Sequence, residues 1–364
     1  MQTPRINSMI PSSDRTQHSI SRLIRKSRQT PVPWIIQGLW QEGGIAVVHS
    51  LEEEFKSTFS YQLAEAVASG SPLLRTWGVP AARRVGIFET EMDDLEVGNR
   101  LDRLYPADDF PEGLILSDCE LMRTFRQQLT LESKFQCVDR WMCDNKVEIL
   151  IWDTVNSILA MTDPNSEVGM SRFFDRLALL PQKGALLVRH DGKPSKDSAQ
   201  RGSNQLVRGS NRIVEDASLV IHLKRQDKAQ NKVRLEVGKL RNGRKPEPVE
   251  LWFDAGSFRL TRLHPIAAIL EDAAQSRADL IIEAGRRFGI KQRAVDATIN
   301  EVRPLLTESM RGHSKVFGLN PHALPEEEST ANQWWSLLHW PAIPPGEMQP
   351  CVSIRGVPET KTIL

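Results

Sequence analysis

The chain has 364 residues, 40% hydrophobic and 26% charged, with a formal net charge of +1. Such a composition describes a soluble globular protein with room for one large or two modest domains, and it gives no bulk electrostatic preference for nucleic acid. No apolar stretch approaches the ~20 residues needed to span a bilayer, and Cys119, Cys137, Cys143 and Cys351 match no zinc spacing, so the expected setting is reduced, cytoplasmic and away from membranes.

Residues 1–30 carry Arg5, Arg15, Arg22, Arg25, Lys26 and Arg28 against the single acid Asp14. They read as a disordered basic tail, the alternative being an organellar transit peptide. Short apolar runs then alternate with amphipathic segments, which predicts an α/β fold with a mainly parallel sheet flanked by helices. Strands are expected at 45–49, 85–89, 114–116, 149–153, 185–189 and 218–223. Helices are expected at 56–68, 93–105, 120–139 and 168–180. After Leu223 the alternating stretches "VRLEVGKLRNG" and "PVELWFD" predict an antiparallel extension of the sheet.

Open α/β sheets place ligands at the carboxyl ends of their strands, and several chemically active residues fall there. The strand at 45–49 leads through "SLEEEF" to Lys56-Ser57 and an amphipathic helix, the frame of a phosphate-binding loop, G-x-x-x-x-G-K-[ST], whose Lys serves phosphate and whose Ser serves Mg²⁺. The strand at 149–153 ends in Asp153, a Mg²⁺-type carboxylate or simply a turn former. "GIFETEMDD" offers Glu89 or Glu91 to polarise a water, and "LLVRHDGK" offers His190, which would report on a terminal phosphate or play a structural part. Lys239 and Arg241, ahead of an Asn242-Gly243 turn, form a basic tip that would face water, DNA or a neighbour's phosphate.

The order of these parts resembles the core of the RecA-like ATPases, in the branch of RepA-type plasmid helicases, DnaB-type replicative helicases and KaiC-like proteins. The resemblance covers residues 34–258 and rests on "QGLWQEGGIAVVHS", "TEM", "RHDGK" followed by "SAQRGSNQLVRGS", and "KLRNG". It implies an ATP–Mg²⁺ enzyme that assembles as a ring, such as a hexamer, and acts on DNA. Glu91 would then be the general base and His190 the γ-phosphate sensor. Lys239 and Arg241 would complete the neighbouring subunit's site, as arginine fingers do. Ser50, Lys56, Ser57, Thr58, Asp153 and Arg208 would contact nucleotide, with Ser57 and Asp153 toward the metal.

The departure is at the loop. Both glycines are replaced, by Ser50 and Phe55, and Glu52, Glu53 and Glu54 lie between them. Glycine permits the left-handed conformations from which successive N–H groups form an anion nest, so Phe55 is expected to divert the chain, and each carboxylate ~4 Å from phosphate would cost on the order of 4 kcal/mol. Two readings follow. One is an ATPase with a variant loop; the other is a silent RecA-like scaffold acting as a DNA-binding or assembly factor.

A boundary is expected near Leu263, giving a core at 31–263 and a small module at 264–320. Ser276 caps a predicted helix, Gly289-Ile290 makes a turn, residues 291–302 form a second helix, and "LLTESMRGHSKVFGL" alternates around a polar tip. Two short helices, a turn and a strand pair predict a winged helix-turn-helix. Residues 274–320 hold eight Lys or Arg against five acids, a net +3. That suits phosphate contacts by Lys291, Arg293 and Arg311, or else a protein-interaction module. Residues 321–364, with Trp334, Trp335 and Trp340 among prolines, are expected to form an irregular tail.

Overall fold

The computed structural model describes residues 28, 30, 32–107, 109–159, 167–191, 212–227, 231–312 and 314–320. The expected N- and C-terminal tails and Arg208 with its loop lie outside the described residues. A short ribbon, β1 (Trp34–Ile36) and β2 (Trp40–Gln41), leads into β3 (Ile45–Ser50) and helix α1 (Lys56–Ser69). Then come β4 (Val85–Glu89), α2 (Asp94–Leu104), β5 (Leu114–Leu116), α3 (Cys119–Gln127), α4 (Leu131–Asp144), β6 (Ile149–Asp153), α5 (Asn156–Leu159), α6 (Glu167–Leu177), β7 (Gly184–His190), α7 (Arg212–Asp216), β8 (Leu219–Asp227), β9 (Lys232–Leu240), β10 (Val249–Asp254) and β11 (Arg259–Thr261).

Nine of these strands form one sheet in the order β11-β10-β9-β8-β3-β7-β6-β4-β5. The six from β8 to β5 are parallel, and β9, β10 and β11 extend the sheet antiparallel. The strand carrying the phosphate-loop sequence is therefore interior. Because side chains alternate across a strand, β3 sends Ala46 and Val48 into the core that α1 closes with Phe59, Leu63 and Val67, and sends Val47 into the opposite core. That second core is built around Trp152, whose ring meets Phe88, Phe125, Phe135 and Phe173 at centroid separations of 5.5–6.3 Å. Tilted aromatic pairs contribute about 0.5–1.5 kcal/mol each beyond area burial. Gly184, at the start of β7, is required by close approach: a Cβ there would meet Ile35 Cδ1 at 2.4 Å and Trp40 Cζ2 at 3.0 Å.

The single helix expected at 120–139 is two. Thr130 and Ser133 exchange side-chain and backbone hydrogen bonds in a capping box that starts α4, after α3 has ended at Gln127. The β9–β10 link also differs from the expected tight Asn242-Gly243 turn. Val249 pairs with Leu235, so the end of β9 overhangs β10 and residues 241–248 form a longer connection.

Beyond β11 come α8 (Pro265–Asp272), β12 (Gln275–Ser276), α9 (Arg277–Phe288), α10 (Gln292–Glu301), a 3₁₀ turn (Arg303–Leu305), β13 (Leu306–Arg311) and β14 (Ser314–Leu319). Ser276 Oγ accepts from the Asp279 N–H to cap α9, and Gly289 ends it at φ 70°, a left-handed position that favours glycine. The last strands form a three-stranded antiparallel sheet in the order β12-β14-β13. Leu280, Phe288, Ile299 and Phe317 belong to the same continuous core as Leu251 and Leu263. Among the described residues, no helix is long and apolar enough to cross a membrane.

Candidate nucleotide site

The loop keeps a nest-forming path although its glycines are gone. Glu53 and Phe55 themselves adopt left-handed backbone, at φ 60° and 65°, and Phe55 is the N-cap residue from which α1 starts at Lys56. Phe55 therefore does not divert the chain. A non-glycine residue pays about 1–2 kcal/mol for that conformation, and the ring offsets it by stacking on Phe253 of β10 at 4.2 Å, with the Arg225 guanidinium 5.2 Å from its centroid. This anchoring predicts an inverted size order. Phe55→Ala, which keeps the strain and loses the ring, should destabilise the protein by about 1 kcal/mol more than Phe55→Gly, as read by denaturant unfolding; Ala equal to or better than Gly would rule the anchoring out.

Of the three acids, Glu52 and Glu53 point to solvent. Glu54 is half-buried and turns back on the loop, accepting from the Leu51 N–H at 3.2 Å. Burial raises its pKa against the lowering effect of backbone hydrogen bonds. Lys56 is buried and closes the loop from inside, donating to Leu51 O at 2.6 Å, Ser50 Oγ at 3.1 Å and Ser50 O at 3.3 Å. Burial lowers its pKa, while Asp153, Asp191, Glu54 and Glu91 oppose that shift. Ser50 is thus a working part of the loop: its hydroxyl accepts from Lys56 and donates to Leu51 O at 2.8 Å.

Behind the loop, the Ser57 hydroxyl hydrogen-bonds Asp153, which is fully buried with Oδ2 left unpartnered. Burial and then the Glu89 charge push the Asp153 pKa up to about 7, against the Ser57 bond. An orphaned carboxylate oxygen beside a serine hydroxyl is a donor set that fits a hard, oxygen-seeking cation such as Mg²⁺.

Glu89 and Glu91 separate clearly. Glu89 ends β4, is buried, and its Oε1 accepts from the N–H groups of Glu91 (2.9 Å) and Met92 (3.2 Å); burial raises its pKa. It shapes the turn that presents Glu91. Glu91 lies beyond the strand, so the expectation that both acids share one face of an extended strand does not hold. Its carboxylate is half-exposed, accepts from Thr154 Oγ1 at 2.6 Å and meets His190 Nε2 at 3.3 Å, and the His190 contact leads the causes that lower its pKa. Thr154 is a contributor that the sequence did not single out, although it directly follows Asp153. Thr90 adds to it, donating to Thr154 O at 2.7 Å and so tying the ends of β4 and β6 together.

The structure brings Ser50, Lys56, Ser57, Glu91, Asp153 and His190 around one strand-end cluster. Thr58 is buried in the first turn of α1. Lys239 and Arg241 are not in the cluster: Lys239 pairs with Val220, which pairs with Val47 near the other end of β3. Both cations turn back on α7, Lys239 donating to Val214 O and Glu215 O at 2.7 Å and Arg241 to Glu215 O at 3.2 Å. Lys291, Arg293 and Arg311 are exposed on the C-terminal elements. By contrast Arg277, Arg286, Arg287, Arg303 and Lys315 pair with acids.

No curated protein sequence matches the chain significantly. Among solved structures, the ATPase domain of a helicase aligns at 12% identity and a TM-score of 0.47, over 68% of this chain and 98% of that one. A KaiC-like protein from Pyrococcus horikoshii aligns at 14% identity and 0.45, over 63% and 95%. The flagellar accessory protein FlaH from Methanocaldococcus jannaschii aligns at 13% and 0.40, over 60% and 89%. The family model described as "AAA domain" matches residues 12–196, just over half of the chain. With its phosphate loop at the end of an interior parallel strand and the order β8-β3-β7-β6-β4 around it, the chain belongs to the AAA-domain family, as a RecA-like protein of the phosphate-loop ATPase class.

Proposed function

We propose that this protein binds ATP with Mg²⁺ at the variant loop and acts as a homo-oligomeric, helicase-like ATPase on DNA, in replication or a related transaction of a plasmid, phage or other mobile element. The observation that carries the reading is the buried Ser57–Asp153 pair with its orphaned Asp153 oxygen, set beside the enclosed Lys56 ammonium. Retaining an unpartnered carboxylate in a core is costly and serves no packing purpose. Ser57 and Asp153 would hold the metal, which when bound neutralises phosphate charge. Lys56 would exchange its loop carbonyls for phosphate oxygens. Glu91, ionised and held by Thr154 and His190, is placed to orient a water and take its proton, with His190 facing the terminal phosphate.

The test is binding of a fluorescent ATP analogue, with Mg²⁺, to the full chain and to Lys56→Ala. One charge pair at ~4 Å contributes on the order of 4 kcal/mol at an effective dielectric of about 20, so Lys56→Ala should weaken binding by at least about a hundredfold. Absence of saturable binding to the folded parent would defeat the reading. It would favour the second one, a silent RecA-like scaffold, for which Glu54 folded into the loop is the supporting observation.

For DNA, we read the elements from α8 to β14 as a winged helix-turn-helix module spanning 264–320, next to a core at 31–263. Lys291, Arg293 and Arg311 are exposed and enter none of the ion pairs that neutralise their neighbours. Replacing all three by Ala should lower the slope of log K against log salt on duplex DNA by about 2–3, since each phosphate contact contributes about 0.9. An unchanged slope would assign DNA binding elsewhere.

A further inference from the structure

Three side chains outside the nucleotide chemistry meet on the sheet face opposite α1. His49 on β3 and His222 on β8 are register partners in parallel strands. Their rings stack at 4.6 Å and 10°. Asp191, just past the end of β7, lies between them, with Oδ1 2.6 Å from His49 Nδ1 and Oδ2 3.3 Å from His222 Nε2. All three are buried, and His49 Nε2 has no partner. We propose that His49, Asp191 and His222 form a binding site for a divalent transition-metal ion of the zinc class, pinning the ends of β3, β7 and β8 beneath the phosphate loop.

The chemistry of the ligands supports an ion. One nitrogen or oxygen from each residue lies within 4.8 Å of the others. Ligands bound at about 2.0–2.1 Å to a tetrahedral ion sit ~3.3 Å apart, so the His222–Asp191 spacing already fits and the His49–Asp191 spacing has only to open by a fraction of an ångström. The groups are also in ligating form. Burial lowers the His49 pKa, which favours the neutral imidazole. Burial opposes ionisation of Asp191, but the hydrogen bonds from His222 and His49 prevail and hold its pKa below the usual range. Metals require these deprotonated forms.

Selectivity follows from the neighbours. Arg189 is fully buried and its charge reaches His49, so the pocket has no surplus of negative charge to attract a hard cation. Binding must rest on imidazole donors, which suit Zn²⁺ and Co²⁺ and not Mg²⁺ or Ca²⁺. Three protein ligands leave one position open, and Glu54 is a further carboxylate in electrostatic reach of His222 and Asp191. The site does not depend on whether the loop above it binds nucleotide.

The experiment is a Co²⁺ titration of chelator-stripped full-length protein, without nucleotide, followed by visible absorption. The expected result is one equivalent per chain with a nitrogen/oxygen ligand-field band, displaced by Zn²⁺ and untouched by excess Mg²⁺. The band should disappear in His222→Gln and His49→Gln, with folding checked by circular dichroism, and persist in Asp153→Asn. No band from the wild-type protein would overturn the proposal, whatever the variants do. So would displacement by Mg²⁺, loss of the band in Asp153→Asn, its persistence in the folded double histidine variant, or a thiolate band implicating Cys119, Cys137 or Cys143, which are free.

Discussion

Replacing Asp153 by Asn should make the unliganded protein more stable above neutral pH while removing its response to Mg²⁺. The direction follows from linkage. Asp153 has a folded pKa of about 7 against 3.8 for the ordinary group, so between those values the folded state holds a proton that the unfolded state has lost, and stability falls as pH rises. The loss begins above the ordinary carboxylate pKa and is complete once pH passes about 7. A single proton contributes about 1.4 kcal/mol per pH unit, so the destabilisation approaches about 4 kcal/mol by pH 8. Asparagine keeps the shape and can still accept from Ser57, but carries no buried charge. Denaturant unfolding of both proteins from pH 4 to pH 8 reads the effect: the variant should lose most of the wild-type slope, leaving the same-signed contribution of Glu89, whose pKa burial also raises. Equal slopes would show that Asp153 is not the strained group. Mg²⁺ with nucleotide should stabilise only the wild type, because binding to the native state alone shifts unfolding by mass action. A residue that is better replaced for the empty fold and indispensable to the loaded one is what a ligand site in a core should contain.

The sheet was legible because its strands alternate between two closed faces, and strand ends cannot shift by one residue without exposing one core. The ranges around Val47, Ile87, Ile151 and Leu187 needed only small extensions in the structure. Ser57 and Asp153 were legible for the same reason: each sits at the end of such a strand or at the start of the helix that follows. What the sequence hid were contacts between distant segments. Phe55 read as an obstruction because its partner, Phe253, is almost two hundred residues away on the antiparallel extension. Glu89 and Glu91 could not be ranked until the chain was seen to leave the strand after Glu89, whose carboxylate accepts the Glu91 N–H. The break between the helices at 127–131 turns on a local rule, the Thr130–Ser133 cap, that the apolar periodicity on either side conceals. The His49–Asp191–His222 cluster left a faint signal, polar residues closing the apolar runs "IAVVH" and "SLVIH", but only the strand order brings those ends together.

Arg241→Ala should abolish turnover on its own and regain it when mixed with a second inactive variant. If the proposed ring forms, each site takes its loop from one subunit and its Lys239–Arg241 pair from the next, since these cations lie toward the opposite end of β3 from their own loop. Charge supplied to a transferring phosphoryl group in this way accelerates reaction by about 10³–10⁵, so the single variant should fall by at least about a thousandfold. The cations are now engaged with the carbonyls of Val214 and Glu215. Hydrogen bonds to charged groups contribute about 1.5–3 kcal/mol each, a cost that a neighbour's triphosphate can offset because its charge is far larger than a carbonyl dipole. Lys56→Ala subunits keep an intact Arg241, and Arg241→Ala subunits keep an intact loop. Random mixing in a head-to-tail ring, where one kind of interface repeats, therefore rebuilds about a quarter of the sites, and ATPase activity should return to about that share of wild type. Rings of either variant alone stay silent. If the mixture stays as inactive as its parents while both variants still assemble, Lys239 and Arg241 are structural caps on α7 and the finger must be sought elsewhere.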